Sequence, residues 1–270
     1  MARSVGTPTW IDFGTNDMAT TRAFYEQLFG WEFEDSGPEM GHYLMIRKDG
    51  TLVGGGMDTS GMTDHGGQPL PPSWTIYLAV DDVDARVAKA EAAGATVVLP
   101  PGDADAAGRF AVVLDPTGAA VGLWQAGDTE GYEFTGQPGT PLWFEVLTQD
   151  IDASAAFYRE VFDFDPTPMD TLMDDGGNAA TYLTNGPEAE ATSGLCDVSG
   201  FVPAEEGSWW RVYLGVADCD AAVARVQELG GTLKDGPFDS PFGRIATVAE
   251  PTGGDFQLCA PSQAVTEGDA

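Results

Sequence analysis

The stretch "WIDFGTNDMATTRAFY", Trp10 to Tyr25, returns 133 residues later as "WFEVLTQDIDASAAFY", Trp143 to Tyr158. Trp10/Trp143, Asp17/Asp150, Phe24/Phe157 and Tyr25/Tyr158 all share that offset. Three further pairs follow in the same order: "WTIYLAVDDVDA" from Trp74 with "WRVYLGVADCDA" from Trp210, Gly108-Arg109 with Gly243-Arg244, and "DPTG" from Asp115 with "EPTG" from Glu250. Their offsets of 136 and 135 leave room only for small insertions, so a whole module has been duplicated. The modules run over residues 7–126 and 140–262. The stretch "AGDTEGYEFTGQPGTP" (Ala126 to Pro141) reads as the polar, glycine-rich linker between them.

Strand alternation in the opening stretch puts Ile11 and Phe13 on one face and Trp10, Asp12 and Gly14 on the other. Asp17 is a candidate N-cap. Met18, Thr21, Phe24, Tyr25 and Leu28 then recur at helical spacing until Gly30. That helix covers the Ile11/Phe13 face, which makes Tyr25 and Tyr158 core aromatics. "HYLMIRK" and "LVGGGM" form a hairpin over Asp49-Gly50, matched by "ATYLTN" and "ATSGLCD". Trp74, Ile76, Leu78 and Val80 alternate with Thr75, Tyr77 and Ala79 ahead of a helix from Asp82 to Gly94. "RFAVVLDPTGAAVGLW" is two strands around a tight Asp-Pro-Thr-Gly turn. Each module therefore reads β-α-β-β twice, with helices on one sheet face.

The face without helices must line something, because Trp10, Asp12, Tyr77 and Trp124 would otherwise expose aromatic surface or bury an unpaired acid. A cleft is expected there. Its counterparts in the second module are Trp143, Glu145, Arg211, Tyr213 and Gln257. Asp12 and Glu145 hold equivalent places. A carboxylate there binds a cation, acts as a general base once burial raises its pKa, or pairs with Arg211. Arg109 and Arg244 are expected to anchor turn carbonyls or to touch ligand.

The chain has 270 residues, 43% of them hydrophobic, enough for two cores of ordinary size. Its formal net charge of −31 repels phosphate backbones and anionic lipid, which excludes nucleic acid and membrane surfaces as partners. No run approaches a membrane span and the N-terminus lacks a secretory apolar segment, so a cytoplasmic protein, monomer or homodimer, is expected. Cys196, Cys219 and Cys259 are too far apart in sequence for a zinc motif and odd in number, hence reduced and structural. The tail "SQAVTEGDA" is expected to fray.

The doubled pattern, the Asp-to-Phe-Tyr spacing after the first strand, the "VDDVDA" helix start and the closing "DPTG" and "LWQ" together resemble the vicinal oxygen chelate superfamily. That group contains glyoxalase I, bleomycin-resistance proteins and extradiol dioxygenases. The resemblance implies an α+β fold of βαβββ-type units, four per chain in two duplicated domains, forming sheet-lined clefts. It is nearest to the two-module bacterial branch described as glyoxalase-like or as hydroxylases. Metal-dependent members carry His and Glu ligands on the inner strands. Here those positions fall on Trp10, Thr75 and Gly122 and on Trp143, Arg211 and Gln257, and the two histidines, His42 and His65, lie elsewhere. No metal and no cofactor is therefore expected. The resemblance leaves three readings: a metal-free binder of an aromatic or cationic small molecule, a glyoxalase-like lyase, isomerase or hydroxylase working through Asp12 or Glu145 or an atypical metal, and a structural or interaction protein.

Overall fold

The computed structural model describes residues 3–63, 66–133, 135–169 and 181–262. In β1 (Pro8–Thr15) the alternation holds: Ile11 and Phe13 are buried under α1 (Met18–Phe29), with the Phe13 and Tyr25 rings 5.6 Å apart. The Asp17 carboxylate accepts from the Thr20 N–H and caps the helix. Gly30, in left-handed geometry at φ 68°, ends it. The other three α-helices among the described residues, α2 (Val83–Ala92), α3 (Ile151–Phe162) and α4 (Cys219–Glu228), also start on a capping aspartate, Asp82, Asp150 and Asp218.

The rest of the first module is β2 (Glu32–Asp35), β3 (Leu44–Lys48), β4 (Thr51–Asp58), β5 (Ser73–Ala79), β6 (Thr96–Ala104), β7 (Gly108–Leu114) and β8 (Ala120–Ala126). The second repeats it with β9 (Pro141–Thr148), β10 (Thr167–Pro168), β11 (Tyr182–Thr184), β12 (Gly194–Asp197), β13 (Trp209–Gly215), β14 (Thr232–Ser240), β15 (Gly243–Ala249) and β16 (Asp255–Pro261). Each module is one eight-stranded sheet, β2-β3-β4-β1-β5-β8-β7-β6 and β10-β11-β12-β9-β13-β16-β15-β14. Two βαβββ units meet in each sheet along an antiparallel central pair, β1 with β5 and β9 with β13.

The β-α-β-β reading lacks one strand after each helix: β2, β6, β10 and β14. All four are sheet edges, where pairing on one side alone tolerates sequences without clean alternation. β2 is "EFED" and mostly exposed, β10 is two residues long, and β6 carries Pro100-Pro101 with register shifts against β7.

Buried apolar side chains of both modules form one continuous core. Phe256 of β16 packs against Tyr25 of α1, ring centroids 5.7 Å apart. Arg86 of α2 lies buried against α3, donating to Asp81, to Asp163 and to the Val161 carbonyl. The reversing turns have a second task. Asp115 folds its own turn by accepting from the Thr117 and Ala119 N–H groups, and its Oδ2 accepts from the Tyr158 hydroxyl at 3.0 Å. Tyr158 in turn accepts from Trp210 Nε1 at 2.7 Å. The stretch between the modules is packed as well, with Tyr132 buried and its hydroxyl donating to the Pro8 carbonyl. Tyr158→Phe should cost about 1–3 kcal/mol in urea unfolding, because it strands the Trp210 N–H and one Asp115 oxygen in the interior. Tyr25→Phe should cost less, since the Tyr25 hydroxyl accepts only a 3.2 Å bond from Trp74.

Candidate functional site

Register fixes the position of the two acids. Asp12 on β1 lies between Gly55 of β4 and Thr75 of β5; Glu145 on β9 lies between Gly194 of β12 and Arg211 of β13. Both point away from the helices into the cup of their sheet. One tyrosine absent from the expected site completes each arrangement. Trp10 Nε1 donates to Tyr43 at 2.7 Å and the Tyr43 hydroxyl reaches Asp12 Oδ2 at 3.3 Å. In the second cup Trp143 Nε1 donates to Tyr182 at 2.8 Å and Tyr182 donates to Glu145 Oε2 at 2.9 Å. Each tyrosine crosses a glycine on the neighbouring strand: a Cβ would fall 1.9 Å from the Tyr43 oxygen at Gly55 and 2.0 Å from the Tyr182 oxygen at Gly194. The signal was a Tyr-Leu pair in both hairpins facing a glycine in the returning strand.

The electrostatics of the two cups differ. Glu145 Oε1 accepts from Arg211 Nη2 at 2.5 Å, from Arg211 Nε at 3.2 Å and from the Tyr213 hydroxyl at 2.7 Å. Burial, and then the charge of Glu145, push both tyrosine hydroxyls well above their ordinary range, so they stay protonated donors. In the first cup Thr75 stands where Arg211 would, and Asp12 has no cationic partner among the described residues. Burial pushes its carboxyl up to about 7, opposed by hydrogen bonds from Tyr77 and Tyr43.

The first cup is filled. Trp10 and Trp124 stack with centroids 6.5 Å apart and planes 21° apart, Trp124 Nε1 donates to the Thr129 carbonyl, and Tyr77 lies over Gly122. Trp10, Asp12, Tyr77 and Trp124 are each less than a tenth exposed. The second cup holds a cavity of about 390 Å³. Trp143, Glu145, Tyr182, Tyr213, Leu142, Ile245, Cys259 and Pro261 line it, with Met169, Glu188, Ser240 and the half-exposed Phe242. Of the residues expected in a cleft, Trp143, Glu145 and Tyr213 meet in the cavity and Arg211 holds Glu145. Gln257 is buried beside Tyr213 and donates to Thr247 at 2.8 Å, while its Oε1 finds no hydrogen-bond partner among the described residues.

Two expectations are corrected or limited. Arg109 and Arg244 neither anchor turns nor meet the cavity: Arg109 pairs with Asp84 and Asp103, and Arg244 with Asp220 and Asp239, each bridging a helix to an edge strand. His42 is exposed and pairs with Asp35; His65 and residues 263–270 lie outside the described residues.

The residues at the superfamily's ligand positions do not fit a divalent metal. Arg211 brings a guanidinium to one of them, Trp143 an N–H already donated to Tyr182, and Gln257 a single neutral amide oxygen. Among the described residues, no group of three or more His, Cys, Asp and Glu side chains is placed to hold an ion. No helix among them is long and apolar enough to cross a membrane.

A family model, the Glyoxalase/Bleomycin resistance protein/Dioxygenase superfamily, matches residues 7–123 and 140–258. The chain belongs to that superfamily. Its sequence is 37% identical over 265 residues to the anthracycline biosynthesis protein DnrV of Streptomyces peucetius, covering 94% of this chain and 92% of the relative. It is 35% identical over 260 residues to "Putative glyoxylase CFP32" of Mycobacterium bovis, covering 95% of each. The Mn(II)-bound glyoxalase from Novosphingobium aromaticivorans superposes with a TM-score of 0.61 at 17% identity, over 95% of this chain and 82% of that one, a likeness of fold. This member of the superfamily thus keeps the paired-unit sheet and carries a tryptophan, tyrosine, arginine and glutamate network in its second cup.

Proposed function

We propose that this chain binds a planar aromatic organic molecule in the second cup without the help of a metal. The cavity beside Trp143, in a module whose twin is closed by its own side chains, carries the proposal. Its size suits a small organic ligand, and its mostly apolar lining with one anchored acid suits stacking with orientation by a few polar groups. The relation to an anthracycline biosynthesis protein supports a fused-ring ligand. Glu188 at the cavity and the acidic surface disfavour an anion.

Binding is favoured over acid/base turnover because Glu145 accepts four hydrogen bonds from Arg211, Tyr213 and Tyr182, leaving little lone-pair capacity to take a substrate proton. Asp12, the acid near neutrality, sits in the filled cup. Titration of Trp fluorescence with hydroxyanthraquinone should give saturable quenching. Trp143→Ala should weaken that affinity roughly 30-fold, the loss typical of a central aromatic anchor. Equal affinity in the variant would sink the proposal.

A further inference from the structure

The two cups share one frame, and the replacement that bears most directly on filled against open is the one at a single point of β8 and β16. On β8, Trp124 lies opposite Phe110 of β7 and Ala79 of β5; on β16, Cys259 lies opposite Ile245 of β15 and Gly215 of β13. These are the same lattice points of the two sheets. In the first cup the Trp124 indole stacks on Trp10 and presses on β7, where a Cβ at Gly108 would lie 2.8 Å from its Cζ2. In the second cup the short Cys259 thiol stands at that point, Ile245 replaces Phe110 beside it, and the cavity runs between Cys259 and Trp143.

We infer that Trp124 is a built-in likeness of the ligand, and that Cys259 is the residue that opens the second cup and sets the size of what enters. The ligand's ring system stacks on Trp143 in the place the Trp124 indole takes on Trp10. Its class is therefore a flat, fused aromatic of at least two rings, because an indole already fills the equivalent space. A single ring would leave much of the cavity without contacts, which forfeits dispersion and area. This inference rests on the binding reading above.

The test uses the full chain with Cys259→Trp, Trp124→Cys and the double variant, and phenol, 2-naphthol and 1-hydroxyanthraquinone as probes. Calorimetric titration of the parent should give one site, with both fused-ring probes at least tenfold tighter than phenol. Cys259→Trp should lose the site, with affinity down at least 100-fold, while its Tm stays level or rises, because the new indole enters space that is already there. Trp124→Cys should gain a second site. The double variant should carry one site, in the first cup.

Thermal unfolding of Cys259→Trp is the arm that needs no ligand. A fall of about 5 °C or more would mean that the cavity cannot seat an indole, overturning the inference. Parent and Cys259→Trp binding 1-hydroxyanthraquinone equally would also overturn it and leave the binding reading intact. Absence of any probe binding to the parent, with Cys259→Trp at full Tm and Trp124→Cys still without a site, would refute the binding reading while upholding Cys259 as the residue that opens the cup.

Discussion

An Arg211→Met protein is expected to unfold at markedly lower urea than its parent, by about 3–5 kcal/mol, since removing one partner of a buried ion pair strands the other. The Glu145 side chain is only 5% exposed and that of Arg211 18%, so water replaces little of what the guanidinium supplies. Tyr213 and Tyr182 still donate to Glu145 in the variant, but neutral donors do not offset a buried charge. The double replacement Glu145→Gln/Arg211→Met should recover most of the loss, because it removes the stranded charge as well. A loss below 1 kcal/mol in the single variant would mean that the pair is effectively solvated. The exposed bridges supply the contrast: Arg109→Met, which breaks pairs to the largely exposed Asp84 and Asp103, should cost no more than about 1 kcal/mol.

The repeat made the frame and both acids legible. Strand alternation in one copy is weak evidence, but an acid two residues past the same tryptophan in two copies located Asp12 and Glu145 on one face. The pairing of Arg211 with an acid was foreseeable from strand phase; that the acid is Glu145 required register. Edge strands escaped because "EFED" and the Pro100-Pro101 strand carry no alternation to read. Tyr43 and Tyr182 escaped for a different reason: their significance lies in crossing a glycine of the next strand, and which glycine is met depends on hairpin register. The difference between a filled and an open cup was written in the sequence as Trp124 against Cys259. Its meaning emerges only when both side chains are known to face the acids, since a cysteine in an apolar strand otherwise reads as ordinary core.

Raising the pH from 4 to 8 is expected to destabilise the fold through Asp12 by about 4 kcal/mol, the free energy of a carboxyl shifted from its ordinary 3.8 to about 7. Between those values the folded chain keeps a proton on Asp12 that the unfolded chain has released, so stability is full below pH 4 and falls as pH rises through 7. Burial without a cation is the cause, Thr75 standing where the second module has Arg211. The acids held low by arginines act in another window: Asp81, drawn to about 2 by its hydrogen bonds to Arg86, contributes stability above pH 4 that is lost only as pH drops toward 2. The two effects therefore separate on the pH axis. Asp12→Asn should flatten the dependence of the urea midpoint between pH 4 and 8 and leave the acid limb below 4 as it was. If the parent and Asp12→Asn curves instead run parallel from 4 to 8, Asp12 is ionised in the folded protein throughout, and the first cup must supply a compensating donor or cation beyond Tyr43 and Tyr77.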